Sequence, residues 1–131
     1  MKQILATITV VATLAATSAS AFDPVHLKKL WDTNSCIECD LSGAYLFNAD
    51  LAGAILTEAE LQEAELVGAI LAGAKLVNVN LTNAVLGGAD LTGADLTGTN
   101  FRKADMNFVN MKGAILCNTT MPDGSVIYSG C

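Results

Sequence analysis

The chain has 131 residues, 52% of them hydrophobic, and thirteen Asp and Glu outweigh seven Lys and Arg to leave a formal net charge of −6. That length supports a single domain, and so acidic a balance excludes the basic face that a nucleic-acid partner requires. One histidine, His26, and no serine in a nucleophile motif leave no general acid–base pair, so neither an enzyme nor a bound cofactor is expected.

The first element is a leader over residues 1–21. Lys2 supplies a minimal positive n-region, Ile4 to Ala16 an apolar h-region, and Ala19-Ser20-Ala21 a small-residue cleavage site. The apolar stretch is too short to span a bilayer, and nothing later approaches one. Removing 21 residues from 131 leaves 110 beginning at Phe22, and loss of Lys2 moves the net charge from −6 to −7. The expected location is periplasmic or secreted, or the thylakoid lumen if the source is a cyanobacterium. Residues 22–38 come next. Val25, Leu27, Leu30 and Trp31 are an apolar set at helical spacing within Pro24 to Asn34, which predicts a short amphipathic helix laid as an N-terminal cap over the segment that begins at residue 39.

From residue 39 to 118 a large apolar residue recurs at every fifth position: Leu41, Leu46, Leu51 and so on to Leu96, then Phe101, Met106, Met111 and Leu116. Two residues before each stands a small one, Cys39 and then alanine at every station except Val79, Thr99 and Val109. On an α-helix five residues turn the side chain by ~500°, so the leucines would spiral around the axis. In a straight strand an odd spacing sends neighbouring leucines to opposite faces. The pattern closes only if the chain turns a corner in each pentad, with the leucine and the small residue inward and the other three positions outward. Two residues after each central residue stand Gly43, Gly53, Gly68, Gly73, Gly88, Gly93, Gly98 and Gly113, with Asn48, Asn78, Asn83 and Asn118. These residues tolerate positive φ at least cost. Only Glu58, Glu63, Lys103 and Phe108 depart.

With this register the chain resembles the pentapeptide-repeat family, whose unit is roughly A-(D/N)-L-x-x. Ala49-Asp50-Leu51, Ala89-Asp90-Leu91 and Ala94-Asp95-Leu96 carry the likeness most directly. The resemblance implies an all-β protein, a right-handed quadrilateral β-helix with four pentads per coil and about four coils. In such a stack Cys39 enters the first coil and Cys117 leaves the fourth, too far apart for a disulfide, which needs Cα atoms within ~7 Å. The pairs expected are Cys36 with Cys39 and Cys117 with Cys131. Residues 119–131 then form a C-terminal cap: Met121 keeps the beat, Pro122-Asp123-Gly124 breaks it, and Val126 to Tyr128 fold back over the last coil.

Cys36-Ile37-Glu38-Cys39 is the one motif with catalytic associations. Haem attachment needs a histidine where Asp40 stands, a thioredoxin-type site needs a βαβ context, and zinc needs two further ligands. A structural disulfide is therefore expected, and no metal. The acidic residues sit mainly before the core leucines, at Asp40, Asp50, Glu60, Glu65, Asp90, Asp95 and Asp105. The resemblance raises a DNA-mimicking role, because some members of the family look like duplex DNA to gyrase. Against it stand the leader, the interruptions at Ile55, Ile70, Lys75, Val85 and Ile115, and the basic Arg102, Lys103 and Lys112 of the last coil. A solvated, solubilising surface is the simpler reading of the acids.

Placing the pentads on four walls in rotation puts Tyr45, Phe47, Val67, Val85 and Phe108 outward on the wall centred on Leu46, Leu66, Leu86 and Met106. Clustered exposed aromatics mark interaction surfaces. The expectation is a non-enzymatic exported scaffold for a protein partner, with a homodimer allowed. The alternatives are a gyrase-binding DNA mimic and a thiol–disulfide oxidoreductase using Cys36 and Cys39.

Overall fold

The structure, a computed structural model, describes residues 21–131, so the leader expected over 1–21 lies outside it apart from Ala21. A helix, α1 (Pro24–Thr33), comes first. Asp23 caps it, its carboxylate accepting the Val25 N–H at 2.8 Å, and Pro24 occupies the first turn, where an amide would have no partner. Asn34 ends the helix at φ 55 and donates its N–H to the Leu30 carbonyl at 2.8 Å. Leu27, Leu30 and Trp31 are buried in the same apolar cluster as Leu41 and Leu46. The Asp23 N–H donates to the Asp40 carbonyl at 3.0 Å and ties the helix start to the coil beside it.

Beyond the helix the chain climbs a four-sided coil. Each residue that precedes a central residue pairs in parallel with the one a coil later: Ser35 with Ile55, Asp40 with Glu60, and onward to Asn100 with Thr120. Four pentads therefore complete one turn. The bonds between coils follow a constant rule, shown by one pentad. Leu46 N–H donates to Glu65 O at 2.8 Å, Asn48 N–H to Val67 O at 2.9 Å, and Glu65 N–H returns to Ala44 O at 2.9 Å. The inward alanines and leucines stack into a continuous column, buried throughout the first three coils. Burying each leucine contributes roughly 1.5–3 kcal/mol, against an ordering cost of similar size.

Each corner is a four-residue turn, as where the Ala44 N–H closes on the Leu41 carbonyl at 3.1 Å. Its third residue takes positive φ, from 52° at Asn48 to 74° at Gly113. Glu58, Glu63, Lys103 and Phe108, which carry no turn signal of their own, adopt 60°, 61°, 61° and 62°. Register overrides residue preference there, because two flanking inward residues are already fixed.

The coil geometry also runs past both ends of the leucine series. Cys36 fills an inward central position and Glu38 takes the corner at φ 58. At the other end Thr119 is buried at an alanine position. The chain closes with β1 (Leu116–Thr120) and β2 (Val126–Ser129), an antiparallel pair with an irregularity between Cys117 and Thr119, where Asn118 turns. The expectation that Val126 to Tyr128 fold over the last coil is met differently. They add to the edge of one wall, so Met106, Val109, Met111, Ala114 and Leu116 remain only partly buried.

Candidate functional site

The outward positions carry whatever this rod does, since its interior is filled by side chains. On the wall centred on Leu46, Tyr45 and Phe47 flank the central residue and their rings stack at 6.1 Å with 30° between planes. Phe47 is 46% exposed. Val67, 38% exposed, lies directly beneath, because the corner amide of Asn48 donates to the Val67 carbonyl. These three residues are brought together. Val85 is half-buried and separated from Tyr45 by Glu65, which pairs with both. Phe108 stands in the last coil, 96% exposed, beside Asp105 and Asn107 rather than against Phe47. The five residues share a wall, but only its first two coils form a compact apolar patch.

The acidic positions have a role that the pattern of charges did not convey. Asp40 accepts the Ser42 N–H at 3.1 Å and its hydroxyl at 2.6 Å, and Asp95 treats Thr97 alike at 3.1 and 2.6 Å. Asp90 takes both groups of Thr92, while Asp50 and Asp105 take the amides of Ala52 and Asn107. Asn80, Asn100 and Asn110 do the same for Thr82, Arg102 and Lys112. Each side chain thus holds the entry to its own corner, a local side-chain-to-backbone turn. The recurring Asp-Leu-Ser and Asp-Leu-Thr triplets were the available signal. These bonds hold the Asp90 carboxyl below its ordinary range, the Thr92 hydroxyl contributing most, and the Ser125 hydroxyl does the same for Asp123.

Both expected disulfides are present. Cys36 and Cys39 join with Cα atoms 5.4 Å apart, and Cys117 and Cys131 with 4.9 Å. The first bond lies in the core, filling a leucine and an alanine position with 0% and 2% exposure. The second is at the surface, where Cys131 is exposed. His26 is half-buried and uses Nδ1 to accept the Asp40 N–H at 2.9 Å. Its role is to join helix to coil. Among the described residues no cluster of His, Cys, Asp or Glu is placed to hold a metal ion, and no helix is long and apolar enough to cross a membrane.

Comparison with known proteins agrees with this geometry. The family profile of pentapeptide repeats matches eight copies over residues 39–78 and 80–121. No curated protein gives a match. Among solved structures, the pentapeptide-repeat protein Rfr23 from the cyanobacterium Cyanothece 51142 is 24% identical with a TM-score of 0.52, covering 69% of this chain and 92% of its own. A trypsin-treated form of QnrB1, a plasmid-mediated fluoroquinolone resistance protein, is 22% identical with a TM-score of 0.50, covering 73% of this chain and 53% of its own. A pentapeptide-repeat protein of the Arabidopsis thaliana thylakoid lumen is 29% identical over 66% of this chain and 63% of its own, with a TM-score of 0.30. The chain thus spans most of Rfr23 but about half of QnrB1. At these identities the likeness to Rfr23 and QnrB1 is one of fold, the right-handed quadrilateral β-helix.

Proposed function

Because the chain belongs to the pentapeptide-repeat family, we propose that it is a non-enzymatic scaffold, exported from the cytoplasm, that holds a protein partner on the wall of Tyr45, Phe47 and Val67. The α1 helix serves as the cap of the first coil in this reading, and residues 119–131 as that of the last. The observation that carries it is the stacked Tyr45–Phe47 pair, Tyr45 half-buried and Phe47 exposed, set directly above the exposed Val67. Aromatic rings with a polar rim are the usual anchors of protein interfaces. Two disulfides favour an oxidising compartment, and the leader expected over residues 1–21 points the same way.

A dithiol enzyme is disfavoured by the burial of Cys36 and Cys39, since exchange requires an accessible sulfur. A DNA mimic is disfavoured because the aspartates are engaged in their own turns and the acidic column is interrupted. The test is a pull-down from a native periplasmic or lumenal extract with wild type and Phe47→Glu. A partner captured by wild type and lost by the variant, at equal melting temperature, supports the wall. Equal capture by both would remove it.

A further inference from the structure

We propose that the Cys117–Cys131 bond is a thiol–disulfide exchange site, and that its reduction by a dithiol releases β2 as a strap from the edge of the coil. The strap lies on the wall of Ile55, Lys75, Asp95 and Ile115, not on that of Tyr45 and Phe47. It does not rest on the partner proposed for the aromatic wall.

The strap has a fixed base. Lys103 donates its N–H to the Pro122 carbonyl at 2.9 Å, which holds the final turn to the coil. The turn also closes on itself, the Met121 N–H donating to the Ser125 carbonyl at 2.8 Å and the Gly124 N–H to the Met121 carbonyl at 2.9 Å. The Asp123 carboxylate accepts the Ser125 N–H at 2.9 Å and its hydroxyl at 2.6 Å. The chain is thus anchored as far as Ser125 without help from the disulfide.

Beyond Ser125 it has little hold of its own. β2 offers four residues to β1, and the register between them breaks between Cys117 and Thr119. Val126 and Tyr128 are 42% and 70% exposed. Ser129, Gly130 and Cys131 are exposed too, which leaves Ile127 as the half-buried residue of the segment. A short strand pairing with so little apolar burial is marginal in water, and a chain end stays ordered only where something ties it down. Here the tie is covalent, Cys131 being joined to Cys117 at a sequence separation of 14. Closing a loop of that size favours the docked strap by on the order of a hundredfold in the chain-entropy account.

The bond is also open to attack. Cys131 is exposed and Cys117 half-buried, whereas Cys36 and Cys39 are buried in the core. A thiolate must reach a sulfur to exchange with it, so access decides between the two bonds. One thiolate of the dithiol attacks Sγ of Cys131 and forms a mixed disulfide, and Cys117 leaves as a thiolate that takes up a proton. The second thiolate then attacks the reductant's own sulfur in that mixed disulfide, and Cys131 leaves to be protonated in turn. Two electrons and two protons pass to the protein, and the dithiol ends as a disulfide. Residues 126–131 are then free to leave the edge. Their departure uncovers the backbone of β1 and the side chain of Ile115, over which the strap passes so closely that a β-carbon on Gly130 would lie 3.4 Å from it.

Amide hydrogen exchange on the native protein, before and after treatment with dithiothreitol, tests this. Peptide mapping of alkylated thiols sets the dose, at which Cys117 and Cys131 are labelled and Cys36 and Cys39 are not. Amides 126–129 should then lose protection by on the order of a hundredfold and regain it on reoxidation. Leu71 and Leu91 in the middle of the coil should keep theirs. Cys131→Ser should show the same pattern with no reductant present. A loss below about tenfold at 126–129 would mean that β2 holds itself, and overturns the proposal. Loss of protection through the whole coil overturns it as well, because the bond would then be a staple of the fold rather than the lock of a strap. If no dose of dithiothreitol reduces Cys117–Cys131 ahead of Cys36–Cys39, the exchange site is removed.

Discussion

The side-chain oxygen of Asn78 occupies the place that a β-carbon on Gly98, one coil below, would take. Asn48 stands over Gly68 in the same way. Corners of adjacent coils are therefore coupled in pairs, an asparagine above filling the space a glycine below leaves open. Gly53, Gly73, Gly88 and Gly93, by contrast, have nothing within 4 Å of that place.

The coupling predicts unequal costs for one substitution. Gly93→Ala meets only the penalty of positive φ, roughly 1 kcal/mol. Gly98→Ala must also displace the Asn78 side chain and should cost about 1 kcal/mol more. Adding Asn78→Gly should recover that increment in a double-mutant cycle by chemical denaturation. Equal costs at the two glycines would show that the asparagine yields freely.

The core makes the simplest prediction. Leu71 is buried mid-rod with its neighbours above and below in contact through the stack. Leu71→Ala should cost ~2–5 kcal/mol through lost burial and a cavity. The outward neighbour Ala72→Ser should cost under ~0.5 kcal/mol. Comparable losses in melting temperature would contradict the inward–outward register.

The five-residue register was legible because a repeat states the same requirement many times, and core and corner signals fall in phase. Its first pentad was not, since Cys36 does a leucine's work and carries no hydrophobic beat of its own. The corner at Lys103 was legible from register alone and from nothing about lysine. The wall shared by Tyr45 and Phe108 followed from phase, but phase does not say that Glu65 divides it or that Phe108 stands alone. The partial exposure of Met106 and Met111 depended on where the chain departs from the coil. Local sequence sets that only through a single Pro-Asp-Gly turn.

The two disulfides should differ in chemistry because they differ in burial. Peptide mapping without reductant should show Cys36 joined to Cys39 and Cys117 joined to Cys131. Under a limiting thiol reductant in native buffer, label should appear at Cys117 and Cys131 first, since Cys36 and Cys39 are shielded by the core. Earlier labelling of Cys36 would place that bond at the surface and contradict the stack.

Acid should weaken the fold through the turn aspartates. The carboxyls of Asp90 and Asp123 sit below their ordinary 3.8, each held by a hydroxyl and an amide two residues on. A group with a depressed folded value adds stability above its unfolded value and loses it as pH falls through the folded one. Melting temperature should therefore be flat at neutral pH and decline below about pH 4. Thr92→Val removes the larger of the bonds to Asp90, so the gap between it and wild type should be present at neutral pH and narrow in acid. A gap that stays constant with pH would mean that Asp90 does not contribute.

The corners without glycine or asparagine carry strain that can be measured by relieving it. Glu58 and Lys103 adopt φ of 60° and 61°, while their amides keep the inter-coil bonds to Val77 and Pro122 at 2.8 and 2.9 Å. Glycine at either site retains those bonds and removes the β-carbon conflict, worth roughly 1–2 kcal/mol. It also adds freedom to the unfolded chain, which costs roughly 0.5–1 kcal/mol. The first effect is larger, so Glu58→Gly and Lys103→Gly should each stabilise by about 0.5–1 kcal/mol in denaturant titrations. Glycine at the outward position 72, where φ is not positive, has no strain to relieve and should destabilise. Destabilisation at all three sites would mean that positive φ at Glu58 and Lys103 is relaxed by their own side-chain contacts rather than borne by the fold.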